Sequence, residues 1–495
     1  MKTLRELIEG IACSWNGKGE LTTQISHVQS DSRKVKPGDL FVAVRGLHAD
    51  GHQFIQDAVR QGAKAIVSEH FDRTASEAGI PQFCVSDARA ILSRLVAYAY
   101  DFPAHKLTMI GVTGTNGKTT TSFLIQHLLN CVSRAGLIGS IYYDDGKTKQ
   151  RAESTTPIPE VLNEILGKMV ANGVSYCVME VSSHALDQNR ISDLAFSSAI
   201  FTNLTQDHLD YHRDYESYYQ AKRKLFFGDQ PPKHSIINRD DSYGRRLLAE
   251  LKKYPGVISY GREGACDYLA QNIQLGLKNV SFDLRRNGKN FHVVAPLILG
   301  HNVYNTIAAL SAASEEGFRL EDLIPQLSCF SGVPGRLEQI DEGQDFRVFV
   351  DYAHTPDGLY NVLSSLEGLP KKRVISVFGC GGDRDRGKRP LMGKIASKFS
   401  DIVILTSDNP RSEKPEAILE EIQKGLNGAR KKTKLIVQAD RKEAIHHAIE
   451  LAGASDIVFI FGKGHEDYQI IGNEKIPFSD QEIARQYLRS HVHAG

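Results

Sequence analysis

The run Thr113-Gly-Thr-Asn-Gly-Lys-Thr119 lies between a short apolar stretch and a segment with helical spacing. Strand, glycine loop and helix start, in that order, are how a chain wraps its backbone around the phosphates of a nucleotide. The stretch Leu107-Thr-Met-Ile-Gly-Val-Thr113 is apolar and β-branched, the pattern of a strand buried in a parallel sheet. From Thr119 to Leu129, apolar residues fall at Phe123, Leu124, Leu128 and Leu129, a helical spacing. Gly114 and Gly117 let the backbone turn its N–H groups toward oxyanions, and the helix N-terminus adds partial positive charge. Lys118 has the reach for β- and γ-phosphates, and the Thr119 hydroxyl is placed for Mg²⁺. Thr113, Thr115 and Asn116 complete the loop. Val112 stands where the longer form of the motif has glycine, so the match is to Gly-x-x-Gly-Lys-Thr. An ordinary glycine turn is the alternative that the motif alone leaves open.

The chain has 495 residues, more than one core organises, and about two to four domains are expected. Hydrophobic residues at 41% and charged residues at 24% are ordinary for a soluble globular protein. A net charge of +1 gives no reason to expect nucleic acid or an anionic membrane as partner. The seven cysteines are scattered and never form a C-x-x-C pair, which argues against a disulfide framework or zinc cluster and for a reducing compartment. Met1 to Glu9 is charged throughout, unlike a secretory signal, and no apolar run approaches the ~20 residues that span a bilayer. The expectation is a cytoplasmic α/β protein of several domains.

Residues 1–104 read as a small α/β unit, with strands at 39–44 and 63–67 and a helix at 88–99. Phe102-Pro-Ala-His-Lys106 reads as a linker. A second unit, 105–335, carries the phosphate loop and strands at 176–180, 199–202 and 235–238, and ends at the Gly332-Val-Pro-Gly335 turn. The last unit, 336–495, alternates strands at 346–350, 373–378, 402–406, 434–437 and 457–461 with helical segments, which predicts a doubly wound parallel sheet.

Ligands of open α/β sheets bind beyond the carboxyl ends of strands, and the polar clusters of this chain fall there. They are Glu180-Val-Ser-Ser-His184, Asn203 to His208, Asp351 to Pro356, Gly379 to Arg384, Ser407 to Arg411 and Gly462 to Glu466. Glu180 and His208 are candidate Mg²⁺ partners, against a capping carboxylate and a loop histidine as the plainer readings. Arg384 and Arg411 suggest a fork for carboxylates, and Glu466 suits an ammonium group; solvated surface ion pairing is the plainer reading. Lys222, within Ala221-Lys-Arg-Lys224, reads by composition as part of an exposed basic helix face.

Taken together, Thr113–Thr119, Met179 to His184, Thr202 to His212, Gly300-His-Asn-Val-Tyr-Asn305, Gly335-Arg336 and Asp351 to Pro356 resemble the Mur ligase family, end to end from Asp31-Ser-Arg33 to Gly462-Lys-Gly-His-Glu466. The resemblance implies three domains: a UDP-sugar domain, a central P-loop-type ATPase domain and a Rossmann-like C-terminal domain. It implies an ATP-dependent ligase of peptidoglycan precursor synthesis, working as a monomer with Mg²⁺ through an acyl phosphate. Matched by motif position, Lys118, Glu180, His208 and Lys222 would be catalytic, with Thr119, Glu180, His208 and a carbamylated Lys222 at the metal. Asn302, Arg336 and Asp351 would join the phosphate loop at ATP. Ser32, Thr155, Thr156, Ser182, Gln188 and Arg190 would hold UDP-N-acetylmuramoyl-L-alanyl-D-glutamate. Arg384, Asp408, Asn409, Pro410, Arg411, Gly462 and Glu466 would hold the incoming amino acid, and the loop Asp408-Asn-Pro-Arg411 implies meso-diaminopimelate. Lys414 departs from the acidic residue expected there.

Rival readings are a lysine-adding ligase or folylpolyglutamate synthetase on the same scaffold, a nucleotide-binding regulator without ligase activity, and a simple ATPase or GTPase switch. Arg411 speaks against lysine, and Asp31-Ser-Arg33 with Glu153-Ser-Thr-Thr156 against a folate substrate. The amino-acid loops of the last unit have no use in a switch.

Overall fold

Thr108–Thr113 forms a strand with five of its six residues buried, flanked on both sides by parallel partners, Tyr176–Glu180 and Ser198–Phe201. A strand covered on both faces needs a continuous apolar run, which is why it was legible as one. The computed structural model describes residues 1–46, 49–228, 230–426 and 433–492. It divides into two compact units, Met1–Tyr268 with Ala308–Leu323, and Leu269–Ile307 with Ile324–Gly495.

In the first unit the central sheet runs Lys149–Arg151, Tyr142–Asp144, Ala135–Ile138, Tyr176–Glu180, Thr108–Thr113, Ser198–Phe201, His234–Asn238, Val257–Gly261. All neighbours from Ala135–Ile138 onward are parallel, and the first two strands are antiparallel edges. Helix Lys118–Asn130 follows the phosphate-loop strand and buries Phe123, Leu124, Leu128 and Leu129, the residues whose spacing predicted it.

The N-terminal part of this unit has its own five-stranded sheet, in the order Ser14–Trp15, Gln82–Cys84, Ala65–Ser68, Leu40–Val42, Val28–Gln29. Helix Ala88–Ala99 has the predicted bounds, with Asp87 accepting from the Ala90 N–H as its cap. The expected linker is a packed 3₁₀ turn, Pro103–Lys106, with Pro103 and Ala104 buried.

In the second unit a six-stranded sheet runs Glu338–Ile340, Arg347–Asp351, Ile457–Phe461, Val374–Phe378, Ile402–Leu405, Lys434–Val437. Only the Glu338–Ile340 edge is antiparallel. Ile457–Phe461 lies between Arg347–Asp351 and Val374–Phe378, so the winding direction reverses there and opens a crevice at the carboxyl ends. The strand after Phe346 extends to Asp351, which makes Asp351 its last residue and not the first of the loop. An antiparallel meander, Tyr268–Leu275, Val280–Arg286 and Lys289–Ala295, and a hairpin, Tyr468–Ile471 with Glu474–Pro477, had no sequence expectation. Among the described residues no helix is long and apolar enough to cross a membrane.

Candidate functional site

In the first unit, the polar residues gather where Thr108–Thr113, Tyr176–Glu180, Ala135–Ile138 and Ser198–Phe201 end. Gly114 has φ +148°, and a Cβ there would collide with Thr202 Oγ1; Gly117 at φ +87° starts the helix. Both positions require glycine. The loop is tied to the strand beside it. Asn116 N–H donates to Asn203 Oδ1 at 2.9 Å, Thr202 Oγ1 donates to Asn116 O at 2.7 Å, and Thr205 N–H donates to Thr115 Oγ1 at 3.0 Å. Thr113 Oγ1 donates to Val181 O at 2.8 Å.

Lys118 Nζ donates to Gly114 O and Thr115 O, each at 2.9 Å. Thr119 Oγ1 donates to Glu180 Oε2 at 3.0 Å, and Ser140 donates to the same carboxylate from its N–H at 2.9 Å and its hydroxyl at 3.0 Å. Glu180 is wholly buried, and a Cβ on Gly139 would come within 2.5 Å of its Oε1.

Lys222 overturns its composition-based reading. Its helix, Tyr215–Arg223, turns it inward, and it is 1% exposed, with Nζ donating to Gly114 O at 2.8 Å and lying 4.5 Å from the Tyr218 ring centroid. Burial, with Lys118 close by, drives its amine well below the ordinary lysine range, with Asp207 opposing. His208 sits edge-on to Tyr218 with ring centroids 6.1 Å apart. Its side chain is 44% exposed, yet desolvation by the surrounding chain, together with His184, Lys118 and Lys222, holds the imidazole down at about 4, against the pull of Asp207.

A hydroxyl and a carboxylate oxygen held together suit a hard divalent cation. Among the described residues no group of three or more His, Cys, Asp or Glu side chains is arranged to hold a metal ion. A cation at Thr119 and Glu180 would therefore complete its shell with water and substrate phosphates, the coordination Mg²⁺ favours.

A second hydrogen-bonded group continues from Glu180. Thr156 Oγ1 donates to Glu180 O at 2.8 Å and accepts from Ser182 N–H at 3.0 Å. Arg190 Nη1 donates to Thr156 O at 2.9 Å, and its Nε and Nη2 fork onto Gln188 Oε1 at 3.1 and 2.8 Å. Thr155 Oγ1 lies 3.0 Å from Ser140 Oγ. Ser32 is buried in a 3₁₀ turn, Ser32–Lys34; just before it, Ser30 N–H donates to Glu160 Oε1 at 2.9 Å. Five of the six residues expected at the UDP-sugar substrate thus form one network, and Ser30, two residues before Ser32, is bonded to the helix Pro159–Ala171 that follows Thr156.

In the second unit, Asp351 accepts from the N–H groups of Leu337 (2.8 Å) and Ala353 (2.9 Å), and desolvation raises its carboxyl above the usual range against the pull of Arg336. The Arg336 guanidinium lies 4.4 Å from the Tyr352 ring centroid, and its Nε is buried without a partner. Asn302 turns to its own segment: it donates to Ile298 O at 2.7 Å and accepts from Asn305 at 2.8 Å.

The loops after Val374–Phe378, Ile402–Leu405 and Ile457–Phe461 close around one another. A Cβ on Gly381 would lie 2.9 Å from Arg411 Nη1 and 3.7 Å from Arg384 Cγ, so both arginines border one glycine. Arg411 Nη1 donates to Gly382 O at 2.8 Å. Glu466 Oε2 accepts from Asn409 Nδ2 at 3.1 Å and Lys463 Nζ at 3.4 Å, and Lys463, 0% exposed, also donates to Asn409 Oδ1 at 2.9 Å. Desolvation raises the Glu466 carboxyl and lowers the Lys463 amine. Gly462, at φ +115°, leaves room for Asp408, whose Oδ2 would meet a Cβ there at 2.5 Å. Pro410 is buried between Asn409 and Arg411.

Ser140, Tyr218 and Lys463 were not expected at these sites. The strand-end rule that selected the other clusters also selects Ser140, once Ala135–Ile138 is read as a strand. Lys463 lies between the two glycines of a cluster already singled out.

Three family models match the chain in order: "Mur ligase family, catalytic domain" over 24–100, "Mur ligase middle domain" over 112–313, and "Mur ligase, glutamate ligase domain" over 335–464. The UDP-N-acetylmuramoyl-L-alanyl-D-glutamate–2,6-diaminopimelate ligase of Syntrophomonas wolfei is 42% identical over 492 residues, covering 99% of both chains. The ligase of the same name from Gloeobacter violaceus is 44% identical over 465 residues, 94% of each chain. A solved structure of a ligase with that name superposes with a TM-score of 0.72 at 33% identity, covering 99% of both chains. Glycine loop, buried lysine and strand-end arginines fall within the matched segments, and the chain belongs to the Mur ligase family.

Proposed function

We propose that this chain joins meso-diaminopimelate to UDP-N-acetylmuramoyl-L-alanyl-D-glutamate, with ATP converted to ADP and phosphate. The observation that carries this reading is the pair of arginines, Arg384 and Arg411, around Gly381 with Glu466 on the neighbouring loop. Those charges match an amino acid with an ammonium group and more than one carboxylate. The near-full-length relatives bearing the diaminopimelate ligase name support it.

A carboxylate and an amine do not condense favourably in water. The D-glutamate carboxylate oxygen attacks the γ-phosphorus, the bond to the β,γ-bridging oxygen breaks, and ADP leaves. The amine of diaminopimelate then attacks the acyl carbon, loses a proton, and phosphate departs from the tetrahedral intermediate. Lys118 exchanges its loop carbonyls for phosphate oxygens and neutralises charge that develops there. Thr119 and Glu180, with His208 near the same loop, would hold Mg²⁺, which when bound would neutralise charge developing on the transferred phosphate. The neutral amine of Lys222 is the form that adds CO₂, becoming a carbamate able to face a second cation. Asn302, Arg336 and Asp351 serve the nucleotide, the Arg336 Nε supplying an unspent donor. Thr155, Thr156, Ser182, Gln188, Arg190 and Ser32 hold the UDP-muramoyl dipeptide.

On this reading residues 1–104, 105–335 and 336–495 act as sugar, ATP and amino-acid domains of a cytoplasmic monomer. Sustained release of ADP over many turnovers should require the UDP-muramoyl dipeptide and diaminopimelate together. ADP release with lysine but not diaminopimelate would replace the substrate, and none with either would leave a nucleotide-binding regulator.

A further inference from the structure

Arg389 opens the helix Lys388–Phe399 and is 0% exposed, yet none of the expected site residues includes it. Its guanidinium grips Glu413 with both arms, Nη2 to Oε1 at 2.7 Å and Nη1 to Oε2 at 2.9 Å. It also reaches Glu421 Oε2 at 2.8 Å and Gly381 O at 3.2 Å. Glu413 in turn accepts from the Asp383 N–H at 2.7 Å. Asp383 accepts from Ser412, from its N–H at 3.2 Å and its hydroxyl at 2.7 Å. Gly382 N–H donates to Asn409 O at 2.9 Å. One ion pair therefore braces the loop that carries Arg384 to the loop that carries Arg411.

Those two loops contain a feature that needs bracing. Asp383, adjacent to Arg384, has φ +54°, and Arg411 itself has φ +51°. Left-handed backbone at a residue with a side chain persists only where its surroundings hold it. Arg389 and Glu413 surround the first of these and adjoin the second. The fork geometry matters, because a lysine ammonium cannot hold both carboxylate oxygens in one plane.

We infer that Arg389 and Glu413 are a positioning pair which sets the spacing of Arg384 and Arg411, and so selects an amino acid with a second carboxylate. The inference rests on the diaminopimelate reading above. Neither residue touches the substrate in this account; each acts through the loops.

Steady-state kinetics on the full-length chain test it, using R389K, E413Q and the double variant with meso-diaminopimelate and L-lysine as alternative amines. Both single variants should raise the KM for diaminopimelate at least about tenfold, while the KM for ATP stays within about twofold. The preference for diaminopimelate over lysine should fall by a similar factor, since lysine lacks the carboxylate that the arginines hold. The double variant should be no worse than the weaker single one, because the pair acts as a unit. If R389K fails to melt cooperatively, the near-isosteric E413Q carries the test. An unchanged diaminopimelate-to-lysine preference, or an equal rise in every KM, overturns the inference while leaving the reaction intact. A parent chain that cannot ligate diaminopimelate overturns both.

Discussion

Lys118 and Lys222 share one acceptor: both Nζ atoms donate to the Gly114 carbonyl oxygen, at 2.9 and 2.8 Å. Two ammonium groups at one oxygen repel, and Lys222 is the buried member, so it is the one pushed toward the neutral form. On the proposed reading, a lysine amine pushed toward its neutral form beside the phosphate loop would suit carbamate formation. In ¹³C-labelled bicarbonate the parent chain should give a carbamate carbonyl signal, absent in K222A. K222A should also lose about a hundredfold or more in kcat with little change in the KM for diaminopimelate. A labelled signal that survives K222A would remove Lys222 from this role.

The same depressed amine makes a statement about stability. Unfolded, Lys222 titrates near the ordinary lysine value of 10.5; folded, it titrates well below. Between those points the unfolded chain holds a proton that the folded chain lacks, so stability rises with pH toward 10.5. In CO₂-free buffer the urea midpoint of the first unit should climb from neutral to alkaline pH more steeply in the parent than in K222M. Parallel slopes would mean that Lys222 folds as an ammonium.

Arg411 borders Gly381 beside Arg384 and donates to Gly382 O. R411A should raise the KM for diaminopimelate about tenfold to a hundredfold, the worth of a charge-assisted bond, and leave the KM for ATP nearly unchanged. Equal effects on both would place Arg411 outside the amino-acid site.

Glu180 receives three hydrogen bonds, from Thr119 and Ser140. E180Q keeps the volume and loses the charge that a divalent cation needs. The Mg²⁺ concentration for half-maximal ADP release should rise at least about tenfold, with the circular dichroism spectrum preserved. An unchanged magnesium requirement would assign Glu180 to structure alone.

Arg441 and Asp480 form an ion pair with both side chains 0% exposed, joined at 2.7 and 2.8 Å. Arg441 also donates to Phe461 O at 2.9 Å and Ser407 O at 3.3 Å, just ahead of Gly462 and Asp408. R441A leaves a buried carboxylate unpaired, and urea unfolding of the second unit should show a loss of about 3–5 kcal/mol. A loss under about 1 kcal/mol would mean that water reaches Asp480.

Much of this architecture can be read along the chain because buried parallel strands announce themselves. Ile457–Phe461 is buried throughout and has the bounds that its apolar run predicts. The meander of Val280–Arg286 and Lys289–Ala295 mixes buried and exposed residues, and the hairpin strand Glu474–Pro477 is exposed throughout, so neither makes such a run. The strand-end rule found Glu180 and Arg411, which sit where topology requires. Lys222 is the contrary case: a cation between arginine and alanine on a short polar helix looks solvated until the fold closes over it. Only the family resemblance singled it out, because burial of a charged residue is a tertiary fact with no local signature. Arg389 escaped both routes, since its partners Glu413 and Glu421 lie more than a helix away along the sequence.

The most direct measurement follows oxygen. With the reacting carboxylate of the UDP-muramoyl dipeptide enriched in ¹⁸O, incubation with ATP, Mg²⁺ and meso-diaminopimelate should give the tripeptide product and one ¹⁸O atom in each inorganic phosphate released. Phosphate free of the label, with ATP consumed and no tripeptide formed, would contradict the account.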